Sequence, residues 1–159
     1  MSIILFLWTA LLSFVPISEL RGGIPFAITH NIPWYYAYPF AVAINALVAP
    51  ACWLFLSTVH RLFLKLPWYC SFFDRFVEQA RVKLRRGVEQ WGWLGIAIFV
   101  AIPLPVTGAW TGTLGAWVLG IDKRKTMVAI LLGVITAGAI VTVVTVLGIK
   151  ALGFFIKTI

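Results

Sequence analysis

The chain has 159 residues, of which 62% are hydrophobic and only 11% are charged, and its mean hydropathy is +0.99. These values exclude an ordinary soluble domain and predict an all-α integral membrane protein with a single membrane domain over residues 1–159. The formal net charge of +8 does not indicate a nucleic-acid partner, because ten of the thirteen Lys and Arg residues are concentrated in 61–86 and 123–125. By the positive-inside rule these two segments are predicted to be cytoplasmic.

Residues 1–60 form the first of two predicted repeats. An apolar helix over about 3–15 is expected to stop at Pro16, and a second short helix, with Ser18 as its N-cap, is expected to follow. These two short helices are interpreted as a re-entrant hairpin. A spanning helix near 34–58 comes next, and the aromatic residues at its start are typical of a membrane interface.

Residues 61–90 are predicted to form a basic cytoplasmic linker between the repeats. A helix over 72–88 is amphipathic and is expected to lie on the cytoplasmic leaflet. Its apolar stripe consists of Phe73, Phe76, Val77, Ala80, Leu84 and Val88. The arginines largely off this stripe are Arg75, Arg81, Arg85 and Arg86. A role in setting the membrane orientation is favoured over a specific role in gathering anionic lipids.

Residues 91–159 form the second predicted repeat. The uncharged run 90–121 has basic segments near both ends, so both ends are expected on the same side of the membrane. Two crossings would need ~40 residues plus a turn. Only 32 residues are available, which favours a re-entrant hairpin of two half-helices. Its tip is predicted at Pro103-Leu104-Pro105, because proline breaks a helix, and a spanning helix near 121–145 follows.

The two halves share a pattern of breaks and spans. Pro16 and Pro103 lie 87 positions apart, and the same offset lays 34–58 on 121–145. A re-entrant hairpin followed by a spanning helix, present twice with opposite orientation, is an inverted-topology repeat of the kind that transporters use. The alternative interpretation is two unrelated proline breaks in a protein with four or five spanning helices. Because the chain is short, we expect a homodimer to complete any transport pathway.

Glu19 and Arg21 are charged residues inside a very apolar stretch. A helix over residues 2–15 rises ~1.5 Å per residue and would place them ~20 Å deep, where charges mark a binding or ion pathway. The alternative is that they lie at headgroup depth and only anchor the turn. At the second tip, N–H groups and hydroxyls suit an anionic group, whereas the glycines favour close packing. The predicted substrate-binding or transport residues are Ser18, Glu19, Arg21, Pro25, Asn45, Pro103, Pro105, Thr107, Gly108 and Thr111.

Catalytic and metal-binding patterns are absent from the sequence. Cys52 and Cys70 lack metal-ligand spacing, and His30 and His60 fall near predicted segment ends. There is no glycine loop of the type that binds ATP phosphates. We therefore expect no enzymatic activity, no metal and no cofactor, and any transport is expected to be passive or driven by an ion gradient.

Two segments carry a resemblance to a known family. The sequences ISELRGGIP (17–25) and IPLPVTGAWTG (102–112) resemble the two signatures of the small multidrug export protein family of prokaryotes, and the likeness extends over nearly the whole chain. The family is more distantly similar to the DedA superfamily, whose members have paired re-entrant hairpins with embedded charges. DedA proteins are linked to the movement of polyprenyl-phosphate or phospholipid. Glu19 and Arg21 match their charged first hairpin, whereas the second tip has no arginine where DedA proteins have one.

The resemblance implies a multi-pass transporter of the prokaryotic plasma (inner) membrane. Two transport functions are considered, together with a third function of another class, which is suggested by the glycine faces and the basic helix. The preferred one is movement of an amphipathic anion, such as a lipid phosphate, held by Arg21 and the half-helix N-termini while Glu19 exchanges a proton. The first alternative is proton-coupled export of a lipophilic cationic drug that binds to Glu19. The second alternative is a membrane scaffold or accessory subunit that transports nothing.

Overall fold

The computed structural model of the chain describes residues 2–58, 60, 67–104 and 107–157, and every regular element within these ranges is an α-helix. In chain order the helices are α1 (Ile3–Phe14), α2 (Glu19–Thr29), α3 (Trp34–Ala46), α4 (Val48–Thr58), α5 (Pro67–Trp91), α6 (Leu94–Ala101), α7 (Ala109–Val118) and α8 (Lys123–Lys157). The all-α prediction is confirmed for this part of the chain.

The break between α1 and α2 follows from Pro16. Val15, the residue before it, has φ −66° and ψ 135°, the extended conformation that a following proline favours. The first predicted helix and its stop at Pro16 are therefore confirmed. Ser18 occupies the N-cap position of α2, but its side chain makes no capping hydrogen bond, so the prediction for Ser18 is right in position only.

Two helical stretches of the described chain are long and apolar enough to cross a membrane, judged by length and composition. They are Trp34–Thr58, which is α3 followed by α4, and Lys123–Ala151 within α8. The first is interrupted at Leu47. Pro50 has no N–H group to donate to the carbonyl oxygen of Ala46, four residues earlier, and its ring clashes with that carbonyl group. The helix predicted near 34–58 is confirmed with this interruption, and the one predicted near 121–145 continues further along α8.

Helix α8 is the central element of the bundle. Helices α2, α3, α6 and α7 pack against it, α1 packs along α2 and α3, and both α4 and α5 pack on α7. Large apolar side chains that are fully buried in this core include Ile24, Val48, Ile96, Ile130 and Val134. Packing around one helix brings the α1–α2 break next to the α6–α7 break, although the two lie far apart in the sequence.

The predicted amphipathic helix is present as part of α5, but its apolar stripe packs on protein. Ala80 and Leu84 are 2% and 1% exposed and belong to the core, and α5 packs on α6 and α7. Leu84 reaches α7 at Gly115, where a side chain would collide with it. The expectation that this stripe lies on the cytoplasmic leaflet is therefore wrong for the residues described. The four arginines off the stripe are exposed, and the side chain of Phe76 lies outside the described residues.

The second break separates α6, of eight residues, from α7, of ten. The predicted interruption around Pro103 is confirmed, since α6 ends at Ala101 and α7 begins at Ala109. The two short helices make few contacts with each other: α6 packs mainly on α8 and α5, and α7 mainly on α4, α5 and α8. Pro105, predicted at the tip, lies outside the described residues.

Candidate functional site

The side chain of Glu19 bridges the two breaks. Its carboxylate oxygens accept hydrogen bonds from the backbone N–H groups of Ala109 and Trp110, each at 3.3 Å. These are the first two residues of α7, whose N–H groups have no partner within the helix and carry the positive end of its dipole. Glu19 is 5% exposed, so a buried carboxylate from the first break caps the helix after the second.

The backbone of Glu19 adopts an uncommon conformation. Its φ is +49°, in the left-handed region that residues other than glycine rarely enter. Such a conformation costs on the order of 1–3 kcal/mol and persists where surrounding contacts determine it. The two hydrogen bonds from the Glu19 carboxylate to α7 are such contacts. They therefore stabilise the uncommon backbone conformation of Glu19 at the start of α2.

Arg21 binds the residues of the second break that precede α7. Its guanidinium donates to the carbonyl oxygens of Leu104 and of Thr107, the latter at 3.0 Å. The hydroxyl of Thr107 lies 2.7 Å from the carbonyl oxygen of Ile102 and accepts the N–H of Leu104 at 3.1 Å. Glu19 and Arg21 make no ion pair with each other in the described structure. Each charge instead binds backbone groups of the opposite break.

Gly108 gives Glu19 room to reach α7. A Cβ atom at this position would overlap the Glu19 carboxylate, with the carboxyl carbon only 2.5 Å away. Gly108 also has φ +156°, which side-chain-bearing residues rarely adopt. The glycine predicted as a tip residue therefore serves a close approach at the cap itself. By contrast, Gly112 and Gly115 allow helix packing, as the sequence favoured for the glycines of this segment.

Two further residues satisfy the end of α1. The indole Nε1 of Trp110 donates to the carbonyl oxygen of Phe14 at 2.7 Å, and the two rings meet edge to face at 5.6 Å. The side-chain amide of Asn45 donates to the carbonyl oxygen of Ser13, also at 2.7 Å. These carbonyls are among the last four of α1, which lack partners in their own helix.

Sequence reasoning did not single out Trp110. The only signal in the sequence was its type and position, because Trp110 is a large aromatic residue among small ones. A buried indole N–H usually has a hydrogen-bond acceptor, so the residue could have been expected to bind one. Which acceptor it finds depends on packing between segments that are 96 residues apart.

A small cavity of about 10 Å³ lies between the two breaks, with room for about one water molecule. The Asn45 Oδ1 atom is buried without a protein partner, and so is the hydroxyl of Ser13. Asn45 is one of the cavity's lining residues, which are Glu19, Leu20, Arg21, Asn45, Val100, Pro103, Thr107, Gly108, Val134, Ala137 and Val141. In this closed arrangement Glu19 and Arg21 are bound to backbone groups, and the space left between the breaks is too small for any molecule larger than water.

Six of the ten predicted site residues meet at this cavity, namely Glu19, Arg21, Asn45, Pro103, Thr107 and Gly108. Three others lie elsewhere. The side chain of Ser18 packs near Gly22, Pro25 lies inside α2, and the hydroxyl of Thr111 is 3.3 Å from the Gly108 carbonyl oxygen of the turn before it. Pro105 lies outside the described residues. Among the described residues, no group of three or more His, Cys, Asp or Glu is placed to hold a metal ion.

One comparison with known protein families gives a match. A family model described as "Putative small multi-drug export protein" matches residues 19–140. The matched segment begins at Glu19, directly after the first break, and contains the second break. No curated protein and no solved structure matches the chain.

Proposed function

We propose that this chain, which belongs to the small multi-drug export protein family, is a membrane transporter that binds an amphipathic anion when Glu19 takes up a proton and releases the anion when the proton leaves. A polyprenyl-phosphate or a phospholipid is the preferred substrate class. The family name and the two long apolar helices support membrane transport. The observation that supports an anion is the carboxylate of Glu19 on the N-terminus of α7.

The α7 N-terminus has the chemistry of an anion site. It offers two backbone N–H donors and the positive end of a helix dipole, and the Arg21 guanidinium lines the same cavity. In the closed arrangement the chain's own Glu19 is the bound anion. A lipophilic cation in this place would compete with N–H donors for the carboxylate and would lie close to a guanidinium, which disfavours it.

Proton transfer at Glu19 provides the coupling in this proposal. A proton bound to one carboxylate oxygen removes the negative charge that caps α7 and frees its N–H groups. A phosphate group then takes the place of the carboxylate and binds Arg21. When the proton leaves, the carboxylate returns and displaces the phosphate. Because the cavity holds only about 10 Å³, the breaks must move apart for each exchange.

The membrane arrangement is part of the proposal. Helix α1 has 12 residues and α6 has eight, so they rise ~18 Å and ~12 Å, well short of a hydrocarbon core of ~30 Å. Helix α1 ends at Phe14 and α6 ends at Ala101, which is the same spacing of 87 residues as between Pro16 and Pro103. These observations favour two re-entrant hairpins of opposite orientation with the breaks near the midplane. The proposal also includes a multi-pass homodimer in the prokaryotic inner membrane, which these observations do not address.

Reconstituted liposomes test the function. Transbilayer movement of a labelled polyprenyl-phosphate is followed for the wild type, Arg21→Gln and Glu19→Gln. Arg81→Gln is the matched control, because this exposed arginine on α5 lies away from the breaks and loses the same charge. Arg21→Gln should abolish movement. Glu19→Gln, a neutral mimic of the protonated state, should retain lipid binding and lose the dependence on a pH gradient.

The same liposomes separate the two alternatives. Export of a fluorescent lipophilic cation that requires Glu19 and a pH gradient would replace the anion proposal with the drug-export alternative, to which the family name lends support. If folded protein moves neither probe, the scaffold alternative is favoured, and neutral substitutions at Glu19 and Arg21 should then leave partner binding intact.

A further inference from the structure

A groove between α3 and α8 lies apart from the two breaks. It consists of two cavities of about 370 Å³ and 300 Å³ that share Trp34 and Val146 as lining residues. Each has the size of a typical small-molecule site. Together they form one continuous groove, and none of its residues lines the cavity at Glu19.

The groove changes in character along its length. The larger cavity is almost wholly apolar and is lined by Trp34, Tyr38, Ala139, Thr142, Val143, Val146 and Leu147. The smaller cavity adds the ammonium group of Lys150 and the amide of Asn31. None of the described lining residues carries a carboxylate. One end therefore suits a hydrocarbon chain, and the other suits an anionic group.

The packing of α3 on α8 explains the shape of the groove. The hydroxyl of Tyr38 donates to the carbonyl oxygen of Ile135 at 3.1 Å, and Gly138 lets Tyr38 and Val42 approach within 3.0 Å of where its Cβ would be. These contacts hold the two helices together at the closed end of the groove. At the other end Asn31 has φ +64°, which turns the chain from α2 into α3 and places the loop beside the last turns of α8.

The length of α8 places the polar end at the depth of lipid headgroups if this helix crosses the bilayer with its basic start at one face. Residues 123 to 150 of α8 rise ~40 Å, which is the thickness of a bilayer with its headgroups. Lys150 is therefore at the membrane face opposite the basic segment 123–125, and Trp34 beside it is a residue type enriched at that depth. The positive-inside rule disfavours Lys and Arg on this face. An anionic headgroup there therefore has few cationic side chains to bind besides Lys150.

We propose that this groove holds one anionic phospholipid, with an acyl chain along α3 and α8 and the phosphate at Lys150 and Asn31. An apolar cavity that continues into a cationic end matches the acyl chain and phosphate of one lipid, and this charge complementarity favours a lipid over a second copy of the chain. The proposal is independent of transport, since it concerns a bound lipid at residues that the transport site does not use.

Native mass spectrometry of the full chain in detergent tests this proposal, with phosphatidylglycerol and phosphatidylcholine as probes. The wild type should retain phosphatidylglycerol in preference to phosphatidylcholine. Lys150→Gln should weaken retention of phosphatidylglycerol about fivefold, as expected for one lysine at a lipid phosphate. Val143→Trp, which fills the apolar cavity, should reduce retention of both lipids. Lys123→Gln removes the same charge at the other end of α8 and should change neither.

Results of two kinds would overturn the proposal. One is equal retention of phosphatidylglycerol by wild type and Lys150→Gln, or an equal loss in Lys123→Gln, which would make the effect one of net charge. The other is that Val143→Trp converts a dimer into a monomer while lipid retention is unchanged, which would assign the groove to the interface between two copies. Lys150 is exposed, so its variant is expected to fold even if Val143→Trp does not.

Discussion

Glu19 and Trp110 each bind an unpaired backbone group beside the other residue's helix break. The carboxylate of Glu19 accepts the backbone N–H of Trp110 at 3.3 Å, while the Trp110 indole donates to the carbonyl oxygen of Phe14, the last residue of the helix before Glu19. Arg21 extends the same pattern to the carbonyl oxygen of Thr107, whereas Asn45 binds the Ser13 carbonyl oxygen from within the first half. The polar groups freed at two helix breaks are thus bound mostly across the breaks, which couples the two halves of the chain.

Gly108→Ala is expected to displace the carboxylate of Glu19 from α7, because the new methyl group would occupy its position. We expect a loss on the order of 2 kcal/mol in the free energy of unfolding, the range for hydrogen bonds to a charged group. Denaturant unfolding in detergent measures it. Gly148→Ala is the matched control, since a Cβ there meets nothing within 4 Å. An equally stable Gly108→Ala protein would show that the cap contributes little.

Trp110→Phe tests the indole bond separately from the ring contact. Phenylalanine keeps the edge-to-face packing on Phe14 but removes the N–H that reaches its carbonyl oxygen. The expected loss is about 1 kcal/mol in the free energy of unfolding. The same unfolding assay applies, with Trp91→Phe as control because Trp91 is 62% exposed. If both variants lose the same amount, the indole bond has no special role.

Asn45→Ala should leave the Ser13 carbonyl oxygen buried without a donor, at a cost of about 1–3 kcal/mol in the free energy of unfolding. Thr136→Ala is the natural comparison, because Thr136 is an exposed polar residue whose hydroxyl binds only its own helix, at Leu132. Thr136→Ala should stay within ~0.5 kcal/mol of the wild type. The reverse order of the two losses would contradict the structural role given to Asn45.

Arg21→Lys separates charge from shape. A lysine keeps the positive charge, but its single ammonium group lacks the planar fork that reaches two carbonyl oxygens. Because one hydrogen bond is lost, we expect the free energy of unfolding to fall by about 1 kcal/mol. In liposomes we expect partial lipid transport. Arg81→Lys, on the exposed face of α5, should match the wild type in both assays. Full transport by Arg21→Lys would mean that charge alone suffices.

The sequence was most informative where the cause of a structure is local. A proline acts on its own neighbours, so the stops of α1 and α6 could be placed from Pro16 and Pro103, and the long apolar stretches could be recognised from composition. Charges in an apolar stretch also indicated a site, since Glu19 and Arg21 do meet the second break. The partners of these charges could not be derived, because they depend on the packing of distant helices around α8.

The amphipathic helix shows a second limit. A stripe at helical spacing tells which face of α5 is apolar, but a lipid surface and a protein surface favour the same pattern. Leu84 of this stripe contacts α7 at Gly115, so the surface it meets is protein. That contact depends on the whole fold and cannot be derived from the stripe alone. The same applies to the predicted anion cradle on α7, where the anion is the chain's own Glu19.

The cross-capped end of α1 has a consequence for the way the chain is made. Phe14 leaves the ribosome 96 residues before its partner Trp110, and at ~5–20 residues per second that delay is roughly 5 to 20 s. During this interval Glu19 and the last carbonyls of α1 have no partner from the second half. The first half therefore depends on water, lipid headgroups or the insertion machinery until synthesis has passed α7, and a chain truncated before residue 109 should be degraded instead of accumulating in the membrane.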